Sequence, residues 1–301
     1  MTAKIGWLLN FNADEELESP ASYRGLKDEA RYQQLATRLH DLTGDDEVVS
    51  PFRMPLLAQA PDVTEGEGRI GFAWMMTPYA SRTLLAHGFL PTESPKLEVL
   101  SKVNARTFAS RLGVDLPGAT YGESVEEVLR SVSASGETGE WLLSRPFGYV
   151  GRGKRKVRAG LLSSADQSWI QASIERHGGL EITPWVKRDK DYALHGFVRK
   201  DGSFTVGELT EQACDANGQW SSTKRASDVA ANIPRGIVSA LEETAEALHR
   251  AGFFGPFGID AFTWIDNAGR KRLLPRCEIN ARFSMGWAIG MGPKGRIAML
   301  A

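Results

Sequence analysis

Four residues near the end of this 301-residue chain offer the clearest chemistry: Asp260, Glu278, Asn280 and Arg282. Asp260 lies inside an apolar run, Phe257-Gly258-Ile259-Asp260-Ala261-Phe262, while Glu278 and Asn280 stand two apart on the next strand-like run. Residues two apart on a strand project from one face. If the two runs pair antiparallel, two carboxylates and an amide oxygen converge. That is a hard, oxygen-only ligand set suited to Mg²⁺ bridging nucleotide phosphates. Arg282 continues the same face and could meet an anionic intermediate. A solvent-facing polar stripe is the alternative, but a carboxylate among Phe257, Ile259 and Phe262 is costly to bury without a cation.

A second group lies at Phe147 to Gly153. Glycines at 148, 151 and 153 free the backbone to approach an anion. Arg145, Arg152, Lys154, Arg155, Lys156 and Arg158 surround them, with no acidic residue between Trp141 and Leu162. A cationic flap over a polyphosphate fits this pattern, with Arg152 joining Arg282 as a catalytic candidate. A solvated hairpin or an RNA- or DNA-contacting patch fits it as well. Nucleic-acid readers interleave aromatic residues for base stacking, and only Phe147 and Tyr149 are available here. The formal net charge of −1 also argues against a dedicated nucleic-acid binder.

These groups need strands and turns to hold them. Gly258 to Ile265 and Arg272 to Asn280 read as a hairpin around Asp266-Asn267-Ala268-Gly269. Trp141 to Leu143 and Lys154 to Leu162 read as strands flanking the glycine-rich turn, followed by a helix from Ser163 to His177 with a serine cap. Leu180 to Val186, Tyr192 to Arg199 and Phe204 to Thr210 are further strands, with a turn at Asp201-Gly202. Ile237, Leu241, Thr244 and Leu248 mark one helix face. Upstream, a helix is expected from Lys96 to Leu112, ended by Gly113. Lys4 to Leu9, Glu47 to Val49 and Ile70 to Trp74 are strands of a small N-terminal α/β unit reaching about Pro95. No dinucleotide-binding glycine fingerprint follows the first strand. Trp74, Met75, Met76 and Tyr79 are an apolar cluster, either core or the border of a pocket.

Composition is that of a soluble globular protein, 42% apolar and 24% charged. With only two cysteines, Cys214 and Cys277, far apart and in no ligand-like spacing, neither a disulfide framework nor a thiolate zinc site is expected. With neither a signal-like N-terminus nor an apolar run of membrane-spanning length, a cytoplasmic location and no membrane contact are expected. The five histidines form no recognisable triad; His195, on a strand next to Gly196, is the one candidate among them, with a packed or half-exposed strand residue as the better reading. Asp191, Glu208 and Lys224 are lesser candidates for the same surroundings.

Taken in order, four segments resemble the ATP-grasp superfamily over about residues 96–290. Ser101-Lys102 to Pro117 resembles its lysine-opened helix with a Gly-Val-x-x-Pro exit. Trp141 to Val157 resembles its lid, and Leu180 to Val186 its interdomain strand. Phe257 to Phe262, followed by Glu278-Ile279-Asn280-Ala281-Arg282, resembles its metal-binding strand pair, in a form especially like the biotin-carboxylase branch. The resemblance implies an α/β (α+β) fold with an N-terminal pre-ATP-grasp domain at 1–95 and an ATP-grasp domain at 96–301. The latter would contain a glycine-rich lid at about 120–180 and a C-terminal mixed sheet.

The same resemblance implies an ATP- and Mg²⁺-dependent ligase that phosphorylates a carboxylate and passes it to an amine or other nucleophile. Its partners would be small molecules, an amino acid or peptide among them, and not nucleic acid; a dimer is compatible with it. Lys102, Arg145, Gly151, Gly153 and Lys154 would contact the phosphates, and backbone groups near Thr183, Trp185 and Val186 would read adenine. Asp260, Glu278 and Asn280 would hold Mg²⁺, and Arg282 would steady the acyl phosphate. One departure stands out: the family's lid lysine falls on Ser144, with Arg145 and Lys154 as substitutes. A catalytically silent ATP binder is therefore the alternative reading.

Overall fold

The computed structural model describes residues 4–52, 68–113, 116–133, 139–148, 153–214 and 220–300. Its first sheet is parallel, with strands β1 (Lys4–Leu8), β2 (Glu47–Val48), β3 (Arg69–Ala73) and β4 (Leu90–Pro91) in the order β2-β1-β3-β4. The apolar continuity of β1, with Ile5 to Leu8 all buried, is what a parallel strand covered on both faces requires. Trp7, Phe11, Phe72 and Trp74 pack on one side of this sheet, and Leu8, Ala73, Leu84 and Phe89 on the other.

The second sheet is antiparallel: β5 (Thr120–Gly122), β6 (Glu140–Ser144), β7 (Lys154–Arg158) and β8 (Leu180–Pro184), in the order β5-β8-β6-β7. Helices Val125–Ser133 and Ser164–His177 cover it through Val128, Val132 and Ile170, which meet Leu143 and Ile182. The second helix starts where the sequence suggests. Ser163 and Asp166 form a reciprocal capping box, and Gly178 closes the helix in the left-handed region.

The third sheet carries β9 (Lys187–Val198), β10 (Phe204–Val206), β11 (Thr210–Cys214), β12 (Trp220–Arg225), β13 (Gly255–Ile265) and β14 (Lys271–Asn280). Its order is β12-β11-β9-β13-β14, with β10 also on β9. The expected single strand from 204 to 210 is instead the end of one hairpin and the start of another. The β11–β12 hairpin is absent from the sequence reading, because Gln212, Ser221 and Lys224 break the apolar alternation. Helix Asn232–Arg250 buries Ile237, Leu241, Thr244 and Leu248, the face its spacing indicates, against Tyr192, Leu194, Ile259 and Ile279.

Two buried polar anchors fix the hairpin that carries Asp260 and Glu278. Asp266 accepts from Ala268 N and Arg270 N, and from the Nε atoms of Arg270 and Arg272. Burial alone would raise its pKa, but these donors hold it at about 2, below the ordinary 3.8. A depressed carboxylate contributes stability above its unfolded pKa and loses it as pH falls through the folded value. Asp266→Asn should therefore lower Tm at neutral pH, and the gap to wild type should close between about pH 4 and 2. A calorimetric pH series checks this.

The second anchor is Arg276, 2% exposed, which donates to Ala240 O, Thr244 Oγ1 and Leu112 O. Arg276→Ala would orphan those acceptors, so a loss of about 3–5 kcal/mol is expected in denaturant unfolding.

Candidate active site

The register of the closing hairpin sets Asp260 directly opposite Glu278 and Gly258 opposite Asn280. All four therefore share one face. Asn280 Nδ2 donates to Asp260 Oδ2 at 3.1 Å, which leaves its amide oxygen for another partner, and Gln212 Nε2 approaches Asp260 Oδ1 at 3.4 Å. Beyond this pair the ladder is irregular: Asp260 and Phe262 pair with Glu278 and Leu274, so two steps on β13 oppose four on β14. Pro275 lies in the longer stretch and can donate no ladder bond.

The helix expected over 96–112 is two helices, Leu97–Asn104 and Arg106–Ser110, separated at Ala105 by an extended ψ of 136°. The break has a use. Asn104 Oδ1 accepts from Ala281 N at 3.0 Å, and Arg106 N donates to Pro146 O at 3.0 Å. It also turns the Arg106 side chain into the cluster, where Nη2 donates to Glu278 Oε2 at 2.9 Å and Nη1 to Glu181 Oε2 at 3.4 Å. Lys102, by contrast, is exposed and does not line this cluster.

Across the second sheet, Lys154, Ser144 and Glu181 stand in one row, since Ser144 pairs with Lys154 on one side and Glu181 on the other. Directly opposed residues share a face, and Lys154 Nζ reaches Glu278 Oε2 at 3.7 Å. Ser144 is 1% exposed, and its Oγ has no hydrogen-bond partner among the described residues. Arg145 points the other way: Nε donates to Ser173 Oγ at 3.0 Å and the guanidinium lies 4.9 Å from the Trp169 ring centre. Arg145, just past the end of β6, thus turns its guanidinium toward Ser173 and Trp169, and Lys154 is the cation of this sheet that reaches Glu278 among the described residues. Gly153, in the left-handed region at φ 78°, turns the chain into β7. Gly151 and Arg152 lie outside the described residues.

The electrostatics follow from this packing. Burial, and then the charge of Glu278, push Asp260 well above the usual carboxylate range. For Glu278 burial acts the same way but is outweighed by Arg106 and Lys154, so its pKa falls. Lys154 is lowered chiefly by the neighbouring Arg106. Arg282 completes the group: Nη2 lies 3.6 Å from Asp14 Oδ2, and its Nε has no hydrogen-bond partner among the described residues. Among those residues no three His, Cys, Asp or Glu side chains form a metal cluster. A cation at Asp260, Glu278 and Asn280 would thus draw its remaining oxygens from a ligand or water. The set fits such an ion: two anionic oxygens held together against their own repulsion, beside one amide oxygen.

Of the residues expected to read adenine, Val186 joins Leu116, Phe262, Trp264 and Leu274 in an apolar cluster. Thr183 is half-buried, and its Oγ1 donates to Leu142 O at 3.4 Å. The Trp185 N–H is already donated to Glu140 O at 2.9 Å, which removes one expected reader of the base. Its ring, 41% exposed, lies under Lys156 Nζ at 4.4 Å.

Sequence reading missed Arg106, Glu181 and Asp14. Glu181 carries the same signal as Asp260, a carboxylate between apolar neighbours on a strand; Arg106 and Asp14 carry none. His195 is 1% exposed, with burial holding its pKa down near 3, and Gly258, Gly286 and Gly290 enclose its ring; it packs there. Asp191, Glu208 and Lys224 pair with Arg188, Arg225 and Glu211 instead.

No family model matches the sequence, and neither does any curated protein. Solved structures do match. N5-carboxyaminoimidazole synthetase from Staphylococcus aureus, complexed with ADP, superposes at TM-score 0.54 with 13% identity, over 94% of this chain and 71% of that one. D-alanyl-alanine synthetase A from Vibrio cholerae gives 0.55 and 13%, over 99% and 94%. Biotin carboxylase from Campylobacter jejuni, as a β,γ-ATP complex, gives 0.58 and 11%, over 96% and 67%. The chain has the ATP-grasp fold. Within the ATP-grasp frame the site draws on three sheets: the parallel one, the second one, and the third, whose pairings are all antiparallel rather than mixed as the resemblance implied. Asp14 comes from the helix after β1 of the first, Lys154 and Glu181 from the second, and Asp260, Glu278 and Asn280 from the third.

Proposed function

We propose that this chain is an ATP- and Mg²⁺-dependent ligase that activates a carboxylate for attack by an amine. The observation that carries the reading is the convergence of Asp260, Glu278 and Asn280 on one strand face beneath Lys154 of the lid, with Arg282 beside them. Asp260, Glu278 and Asn280 hold Mg²⁺, which supplies charge neutralisation to the nucleotide phosphates when bound. The cavity among these charges is only about 20 Å³, so a polyphosphate takes the place of Glu278 as partner to Arg106 and Lys154. Val186 and Phe262 give the base an apolar seat.

In the reaction, a carboxylate oxygen attacks the terminal phosphorus of ATP, the bond to ADP breaks, and an acyl phosphate forms. The amine then attacks the carbonyl carbon, phosphate leaves, and the nitrogen loses a proton. Arg282 orients the carboxylate and stabilises the tetrahedral anion. Lys154 closes with the lid and keeps water from the acyl phosphate. The units at 1–95 and 96–301, with a lid at about 120–180, divide this work between acyl substrate and nucleotide.

Hydroxylamine traps acyl phosphates as hydroxamates. Incubation with ATP, Mg²⁺, hydroxylamine and pooled carboxylates should give hydroxamate and ADP in equal amounts. ADP without hydroxamate would reject the acyl-phosphate route. A silent nucleotide binder is the second reading, favoured by the missing cation at Ser144; it requires ATP binding with no ADP from any mixture. The basic run of the lid does not support nucleic-acid binding, because Arg155 pairs with Asp166, Lys156 with Glu140 and Lys154 with Glu278.

A further inference from the structure

A second cavity, of about 550 Å³, opens on the far side of Arg282 from the carboxylate pair. Its volume is that of an ordinary small-molecule site, roughly 300–1,000 Å³. Trp74, Met76, Phe197, Phe254 and Met299 supply its walls, and Arg282 stands at one end. These walls come from β3 and its exit, from β9, from the segment leading into β13 and from the last helix. The cavity is therefore built where the parallel sheet meets the end of the closing sheet.

The charges around it are unevenly committed. At the rim Lys200 is paired with Glu93, and Arg199 Nη2 donates to Thr205 Oγ1 at 3.0 Å. Arg282 has a long contact of 3.6 Å to Asp14, a carbonyl bond to Phe283 and a loose stack over the Trp74 ring at 5.8 Å, and its Nε lacks a hydrogen-bond partner among the described residues. An apolar chamber with one incompletely bonded guanidinium at its inner end suits an anion on an apolar body. The same guanidinium lines the cleft holding Glu278 and Asn280, so an anion there lies next to the phosphoryl-transfer centre.

We infer that this cavity selects the acyl substrate, and that the substrate is a carboxylate with a bulky apolar or aromatic body. Its role as substrate site rests on the ligase reading; its binding preference does not. Aromatic and methionine walls favour flat or branched hydrocarbon over a polar chain, since hydroxyls or amides placed there would lose water without finding partners.

Titration calorimetry on the full chain, with 3-phenylpropionate as probe, tests the inference. Binding should be saturable, and 3-phenylpropanamide should bind at least about ten-fold more weakly, because it lacks the charge that Arg282 meets. Propionate and succinate should also be weaker, the first for lost apolar area and the second for a buried second charge. Ser94→Trp, a half-buried rim position, should block 3-phenylpropionate while leaving Mg²⁺-ATP binding unchanged. Succinate or propionate binding as tightly as 3-phenylpropionate would overturn the inference, as would a Ser94→Trp variant of unchanged Tm that binds it normally. Mg²⁺-ATP binding without any 3-phenylpropionate binding would also overturn it and spare the ligase reading. The reverse pattern would sink the ligase reading and spare the cavity's preference.

Discussion

Glu278→Gln is expected to leave the fold intact and cut ADP formation by roughly 100- to 1,000-fold, the cost of losing one preorganised electrostatic group at a developing charge. Glu278 contacts both the second sheet, through Lys154, and the broken helix, through Arg106. Glutamine keeps its shape and can still accept from Arg106, so unfolding is not the expected outcome. What it lacks is the negative charge opposite Asp260 on which a divalent cation depends. Coupled ADP assays on the variant, with circular dichroism as the fold control, measure this. Full activity would remove Glu278 from the metal set and with it most of the case for this face of the sheet.

Lys154→Ala should weaken ATP binding by roughly 10- to 100-fold, the range for a lost charge-assisted contact. Arg145→Ala should have a smaller effect, felt in the stability of the second sheet, because the Arg145 guanidinium bonds Ser173 and stacks on Trp169. The register allows a sharper test. Ser144 and Lys154 are cross-strand partners on one face, so the double exchange Ser144→Lys with Lys154→Ser moves the cation by one strand. It should recover part of the affinity that Lys154→Ala loses. Equal losses for Lys154→Ala and Arg145→Ala would mean that the lid meets phosphate through both faces, contrary to the strand geometry.

Much of the closing hairpin was legible in the sequence, because a carboxylate in an apolar strand and a two-residue spacing are local signals. The serine cap of helix Ser164–His177 and the buried face of helix Asn232–Arg250 were legible for the same reason. What escaped depends on distant partners. The break at Ala105 follows from bonds of Asn104 to Ala281 and Arg106 to Pro146, which no local pattern announces. Lys102 at its helix surface and Arg106 one turn later look equivalent as sequence; the break selects between them. The choice of Lys154 over Arg145 likewise needed the pairing register, which fixes the faces.

Titration of ATP into the wild-type chain, with Mg²⁺ and then with the ion chelated, tests the central claim most directly. The expected result is saturable binding that requires Mg²⁺ and is strongly weakened in Glu278→Gln. No binding at millimolar ATP, or binding indifferent to both Mg²⁺ and Glu278, would contradict it.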